Sequence, residues 1–148
     1  MFLVLSGERN RGAYGEAVGH PIMFRDDDPV LARVRHIVLG FPGSAEKISH
    51  GRPAFYTTKI FAYYGGSVKV DGVWVEHDQS LLVLPDQSDR TALLQNSRTY
   101  VPGYLGNYGW IGFDLGVAEA AWEQVRELID SSYRNTATAR LVAELDSG

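Results

Sequence analysis

At 148 residues, 45% hydrophobic and 22% charged, the chain has the composition of one folded domain, long enough to bury roughly two thirds of its unfolded surface around a single core. It contains no cysteine, which excludes disulfides and thiolate metal sites and suits a reducing cytoplasm, the compartment expected here. The apolar run over residues 1–5 is too short for a signal sequence, and no stretch approaches the ~20 apolar residues of a membrane span, so no membrane association is expected.

The net charge of −4 argues against a dedicated nucleic-acid binder, yet the charge is unevenly spread. Residues 31–70 carry six Lys or Arg against one acid, Glu46, for +5, whereas residues 71–148 carry five against twelve, for −7. Such asymmetry marks either a basic face for a polyanion or basic strands paired with acidic helices.

Residues 1–22 have mixed polarity and no sustained period, which predicts a poorly ordered N-terminal extension ahead of a domain over residues 23–148. The clean start of that domain at Met23 suggests an upstream choice of start codon. Asp28 followed by Pro29 reads as an N-cap and first helical position, and Leu31, Val34, Ile37 and Val38 form one apolar stripe before Gly40 and Pro42-Gly43 stop the helix. From Lys47 the period changes. Residues 54–64 are rich in aromatic and β-branched side chains and read as a strand pair entered through Gly51-Arg52-Pro53. Gly65-Gly66 reads as a turn. Val68, Val70, Val73 and Val75 read as a strand broken at Asp71-Gly72, a strong hairpin signal.

Leu81-Leu82-Val83-Leu84 predicts a buried strand ended by Pro85, and Asp86 or Ser88 is placed to cap a short helix over residues 89–95. A Gly- and Tyr-rich turn after Tyr100 leads into the short strand Trp110-Ile111-Gly112-Phe113. Trp122, Val125, Leu128, Ile129 and Tyr133 then recur at helical spacing, with a break near residues 135–138 before a last helix. Strands joined by short turns are antiparallel, and helices segregated from them give an α+β class: a single two-layer domain whose antiparallel sheet is covered by helices.

Five short pieces stand in order along residues 23–145: Phe41-Pro42-Gly43; Gly51-Arg52-Pro53-Ala54-Phe55; Lys59-Ile60-Phe61; Tyr100-Val101-Pro102-x-Tyr104 with Gly109-Trp110-Ile111; and Trp122-x-x-Val125-x-Glu127-Leu128-Ile129-x-x-Ser132-Tyr133 followed by Ala137. Together they resemble the MmcQ/YjbR-like family. The resemblance implies a curved antiparallel sheet covered by helices, as in the CyaY and secretion-chaperone architectures. It also implies a DNA-binding label, which members carry by analogy with a double-wing arrangement of hairpins. Residues 1–22 depart from the family pattern.

No residue cluster compels a reaction, so the protein is expected not to be an enzyme and to need no cofactor. Glu76-His77-Asp78 gathers three metal-ligand types, but alternation along a strand lets only Glu76 and Asp78 converge, and a turn of solvated charges is the simpler reading. Gly103-x-x-Gly106-x-x-Gly109 precedes a strand rather than opening a helix, so its amides do not form a phosphate loop. Two groups of candidate residues remain. Lys47, Arg52, Lys59 and Lys69 lie on hairpins where they would neutralise DNA phosphates. His50, Tyr100, Tyr104 and Trp110 would line a small aromatic groove. The first function expected is therefore a non-enzymatic DNA-binding module. A chaperone-like protein-interaction domain, with a protein partner or a homodimer, and a small-molecule binder using the groove stand as alternatives.

Overall fold

The computed structural model describes residues 21–116 and 121–148, so nearly all of the expected N-terminal extension lies outside the described residues. The chain runs α1 (Pro29–Val38), β1 (Ala45–Ser49), β2 (Arg52–Tyr56), β3 (Ile60–Val70), β4 (Val73–Val83), α2 (Gln87–Leu93), β5 (Thr99–Tyr100), β6 (Ile111–Asp114), α3 (Ala121–Thr136) and α4 (Ala139–Ser147). The six strands form one sheet in the order β1-β2-β3-β4-β6-β5, with every neighbouring pair antiparallel. Helices lie against one of its faces. The fold is the α+β two-layer arrangement expected from the element order.

Local chemistry explains the helix ends. Asp28 caps α1 by accepting from the Val30 amide at 2.9 Å, and Pro29 supplies a preset φ where no amide donor is needed. Leu31, Val34, Ile37 and Val38 are all buried, as their spacing requires. The break between α3 and α4 falls at Ala137-Thr138, where the Thr138 hydroxyl accepts from the Leu141 amide and restarts the helix. Helix α2 begins two residues before the expected start, with Asp86 at its N-cap.

One core lies between the sheet and α1, α3 and α4. Phe55, Phe61, Tyr64, Leu81, Val83, Ile111 and Phe113 meet Val125, Leu128, Ile129 and Tyr133 there. The Tyr133 ring packs edge-on against Phe61 at 5.3 Å, and its hydroxyl donates to the Pro42 carbonyl at 2.6 Å. Ser132 is fully buried beside it. Its hydroxyl donates to the Phe61 carbonyl at 2.6 Å and accepts from the Leu84 amide at 2.9 Å, so one side chain ties α3 to two strands.

The main departure from expectation is in the middle of the chain. Gly65-Gly66 is not a turn but a bend inside β3, and the expected separate strand at residues 81–84 is the end of the long strand β4. Between the pairs Tyr64↔Leu81 and Gly66↔His77, β3 advances two residues while β4 advances four. Opposite that bulge Gly65 stands at a positive φ of +85°, a conformation glycine takes without strain. Glu76-His77-Asp78 consequently lies within a strand rather than in a turn.

Because Ser132 satisfies two buried backbone groups, Ser132→Ala should cost about 2 kcal/mol by leaving both without a partner. Chemical denaturation of the variant checks this, and an unchanged midpoint would contradict the assigned role.

Candidate functional site

The sheet face opposite the helices carries the row Ala54, Tyr63, Leu82, Gly112 and Tyr100 across five strands. The hairpin from β1 to β2 turns through His50 and Gly51, both at positive φ, and delivers Arg52 to this face as the first residue of β2. Arg52 is only 7% exposed. Burying a guanidinium is tolerable only beside opposite charge, and the β4 bulge brings it: Nη2 donates to Glu76 Oε1, and Nη1 stands 3.5 Å from Asp78 Oδ1. The two acids that strand alternation allowed to converge therefore do so on Arg52. Gly65 makes room, since a Cβ there would sit 2.2 Å from Arg52 Nη1.

A second polar group sits on the β6 side. Tyr100 lies flat over Gly112, where a Cβ would fall 2.3 Å from its ring, and stacks on His77 at 3.9 Å between centroids. His77 Nδ1 donates to Asp114 Oδ1 at 2.8 Å. Ser80 is fully buried and donates to the His77 carbonyl, which leaves the Tyr100 hydroxyl to donate to Ser80 at 2.7 Å.

Beyond Tyr100 the chain reaches back to β3, where the Gly103 amide donates to the Ser67 carbonyl at 2.9 Å. Gly103 also packs under Trp74, whose ring would lie 2.6 Å from any Cβ at that position. This crossing encloses a groove of about 550 Å³ whose aromatic walls are Tyr63, Trp74 and Tyr104, with His50 and Arg52 at one end. Trp74 is 54% exposed and Tyr104 73% exposed, so both side chains reach solvent. Tyr63 rests edge-on against the buried Trp110 at 5.5 Å.

Of the candidate groove residues, His50 and Tyr104 line this space, Trp110 supports Tyr63 from behind, and Tyr100 sits beyond Gly66 against Ser80. Tyr63 and Trp74 were not singled out in the sequence. Both read as ordinary strand aromatics, and only the crossing at Gly103 brings them together.

The four candidate DNA-contacting cations have different surroundings. Arg52 is buried and held by the chain's own acids. Lys59 immediately precedes β3, and Lys69 is its penultimate residue, beyond the bend. Lys69 lies over the Trp74 ring at 5.8 Å, and Lys47, on β1, over Tyr56 at 4.8 Å. Arg35 is likewise neutralised, by Glu46 and Asp26 at 2.9 Å each.

Burial raises the phenol pKa of Tyr64 and of Tyr100 well above the ordinary value near 10, with the Asp28 carboxylate that accepts from Tyr64 adding to the first shift. The folded protein thus keeps two protons that the unfolded chain releases, so stability present at neutral pH is lost as pH climbs above about 10. Melting temperature should fall steeply in that range. Tyr100→Phe should blunt the fall while costing about 1 kcal/mol at neutral pH, and equal alkaline slopes in the two proteins would contradict the assignment.

Among the described residues no helix is long and apolar enough to cross a membrane. No curated protein matches the chain. The YjbR family profile matches residues 39–135, a span that takes in the Arg52 hairpin, the bulged ribbon, the aromatic crossing and most of α3. The chain belongs to the MmcQ/YjbR family.

Proposed function

We propose that this domain is a non-catalytic binding module whose site is the aromatic groove on the open sheet face, and that it takes a flat, uncharged heteroaromatic or phenolic small molecule. The observation that carries the reading is the presence of two exposed aromatic side chains, Trp74 and Tyr104, in a groove whose one buried cation is already neutralised by Glu76 and Asp78. Stacking on such rings contributes about 1–3 kcal/mol per planar group. A phosphate or carboxylate gains little from Arg52, because Glu76 and Asp78 already offset its charge. A groove of about 550 Å³ falls in the range of small-molecule sites.

In support of a non-catalytic reading, no described residue beside the His77–Asp114 pair is placed as a nucleophile. Ser80, beside it, has its proton on the His77 carbonyl and its lone pair on Tyr100.

DNA binding ranks second. It rests on Lys47, Lys59 and Lys69, which are exposed, but the β3–β4 hairpin that carries Lys69 also carries the exposed acids Asp71, Glu76 and Asp78. Counter-ion release grows with the number of phosphates neutralised, and dispersed cations beside acids neutralise few.

A thermal-shift screen of planar aromatic compounds, followed by indole-fluorescence titration of each hit, tests the proposal. A hit at a hundred times its Kd should stabilise the wild-type protein by about 2.7 kcal/mol. Trp74→Ala and Tyr104→Ala should each weaken it at least tenfold, about 1.4 kcal/mol, without loss of fold. Failure of every planar compound, or equal binding by both variants, would overturn it. Salt-sensitive binding of duplex DNA lost in Lys59→Glu and Lys69→Glu would favour the second reading instead.

A further inference from the structure

Stacking grips a flat ring without orienting it, because every planar ring has a π face. Orientation in a small-molecule site comes from a few placed polar groups. The groove has such groups at the end where the β1–β2 hairpin turns, for Ser49, His50 and Tyr63 all line that space.

The sheet register brings the two hydroxyls to one face. Ser49, the last residue of β1, pairs with Arg52, and Tyr63 pairs with Ala54, two residues further along β2. Side chains two residues apart on a strand share a face, so Ser49 and Tyr63 stand together on the open side of the sheet. Burial pushes the Tyr63 phenol above its ordinary pKa, the Ser49 hydroxyl pulls against that rise, and the nearby Tyr104 phenol adds to it. Tyr63 is therefore a neutral phenol at neutral pH, with the hydroxyls of Ser49 and Tyr104 as neighbours.

His50 extends the row. Its Nδ1 stands 3.2 Å from Ser49 Oγ. Its backbone lies at a φ of +54°, where glycine sits without strain, as Gly51 does beside it. Two glycines close such a hairpin as well, so the turn itself does not call for an imidazole. What the imidazole adds is a ring nitrogen beside Ser49.

We infer, resting on the groove as the ligand site, that Tyr63, Ser49 and His50 are its specificity-determining end, and that the ligand is a flat ring whose hydrogen-bond donor, a ring N–H or a phenolic hydroxyl, is directed at the Ser49 and Tyr63 oxygens. An imidazole Nδ1 that accepts from Ser49 draws the Ser49 proton away from the groove. The hydroxyl lone pairs of Ser49 and Tyr63 then face the ligand as acceptors. A ring without a donor stacks as well but leaves those oxygens without a partner, which is how a polar site rejects an isostere.

Indole and N-methylindole share one ring system, and only the first carries the donor. Heteronuclear NMR titration of the full-length protein gives both Kd values, and the Trp74 and Tyr104 resonances report whether each probe enters the groove. The wild-type protein should hold indole about tenfold more tightly than N-methylindole. Tyr63→Phe, which keeps a ring against Trp110, and Ser49→Ala should each bring the two Kd values together by weakening indole alone. His50→Gly, which suits the positive φ, should do the same while circular dichroism shows the fold retained. Equal Kd values in the wild-type protein, or a preference for indole that survives both Tyr63→Phe and Ser49→Ala, would overturn the inference and leave the groove standing as a stacking site. Titrations in which neither probe shifts Trp74 or Tyr104 would overturn the inference together with the groove itself.

Discussion

A buried guanidinium organises the functional side of this molecule. Arg52 enters the sheet at the first position of β2 and cannot stay there without nearby negative charge, because desolvating an unpaired cation costs several kcal/mol. Glu76 and Asp78 come within reach only because β4 carries two extra residues opposite Gly65, and Gly65 accommodates both the positive φ of the bulge and the guanidinium above it. Ion pair, bulge and glycine are mutually dependent. Together they bend the long ribbon, and the bend sets Trp74 where Gly103 can pass beneath it.

The two faces of the sheet then carry different physics. The helix side is a close-packed apolar core pinned by Ser132 and Tyr133, each of which spends its hydroxyl on backbone groups of neighbouring segments. The open side is built of rings laid on glycines and of polar pairs, His77 with Asp114 and Tyr100 with Ser80, and the one guanidinium at its end, Arg52, is offset by Glu76. Such a surface offers stacking more than Coulombic attraction. That contrast ranks a flat neutral ligand above a polyanion.

Much of the fold could be read from the chain. The cap at Asp28, the stripe on α1, the Asp71-Gly72 turn and the restart at Thr138 are local signals, each decided within a few residues. The di-glycine misled because glycine pairs mark both turns and bulges, and only the register of β4, more than ten residues away, separates the two. The same non-locality hid the site. Arg52 has the look of a hairpin cation, and nothing near it announces that acids 24 and 26 residues later will close on it. Tyr63 and Trp74 look like strand packing until the segment after Tyr100 crosses to β3.

The groove as the ligand site is best judged by soaking crystals of the full chain with a library of planar aromatic fragments. Fragment density stacked between Trp74 and Tyr104, with Arg52 still held by Glu76, is expected. Fragments that bind only elsewhere, or an Arg52 that leaves Glu76 to take an anionic fragment, would contradict a neutral stacking site on this face.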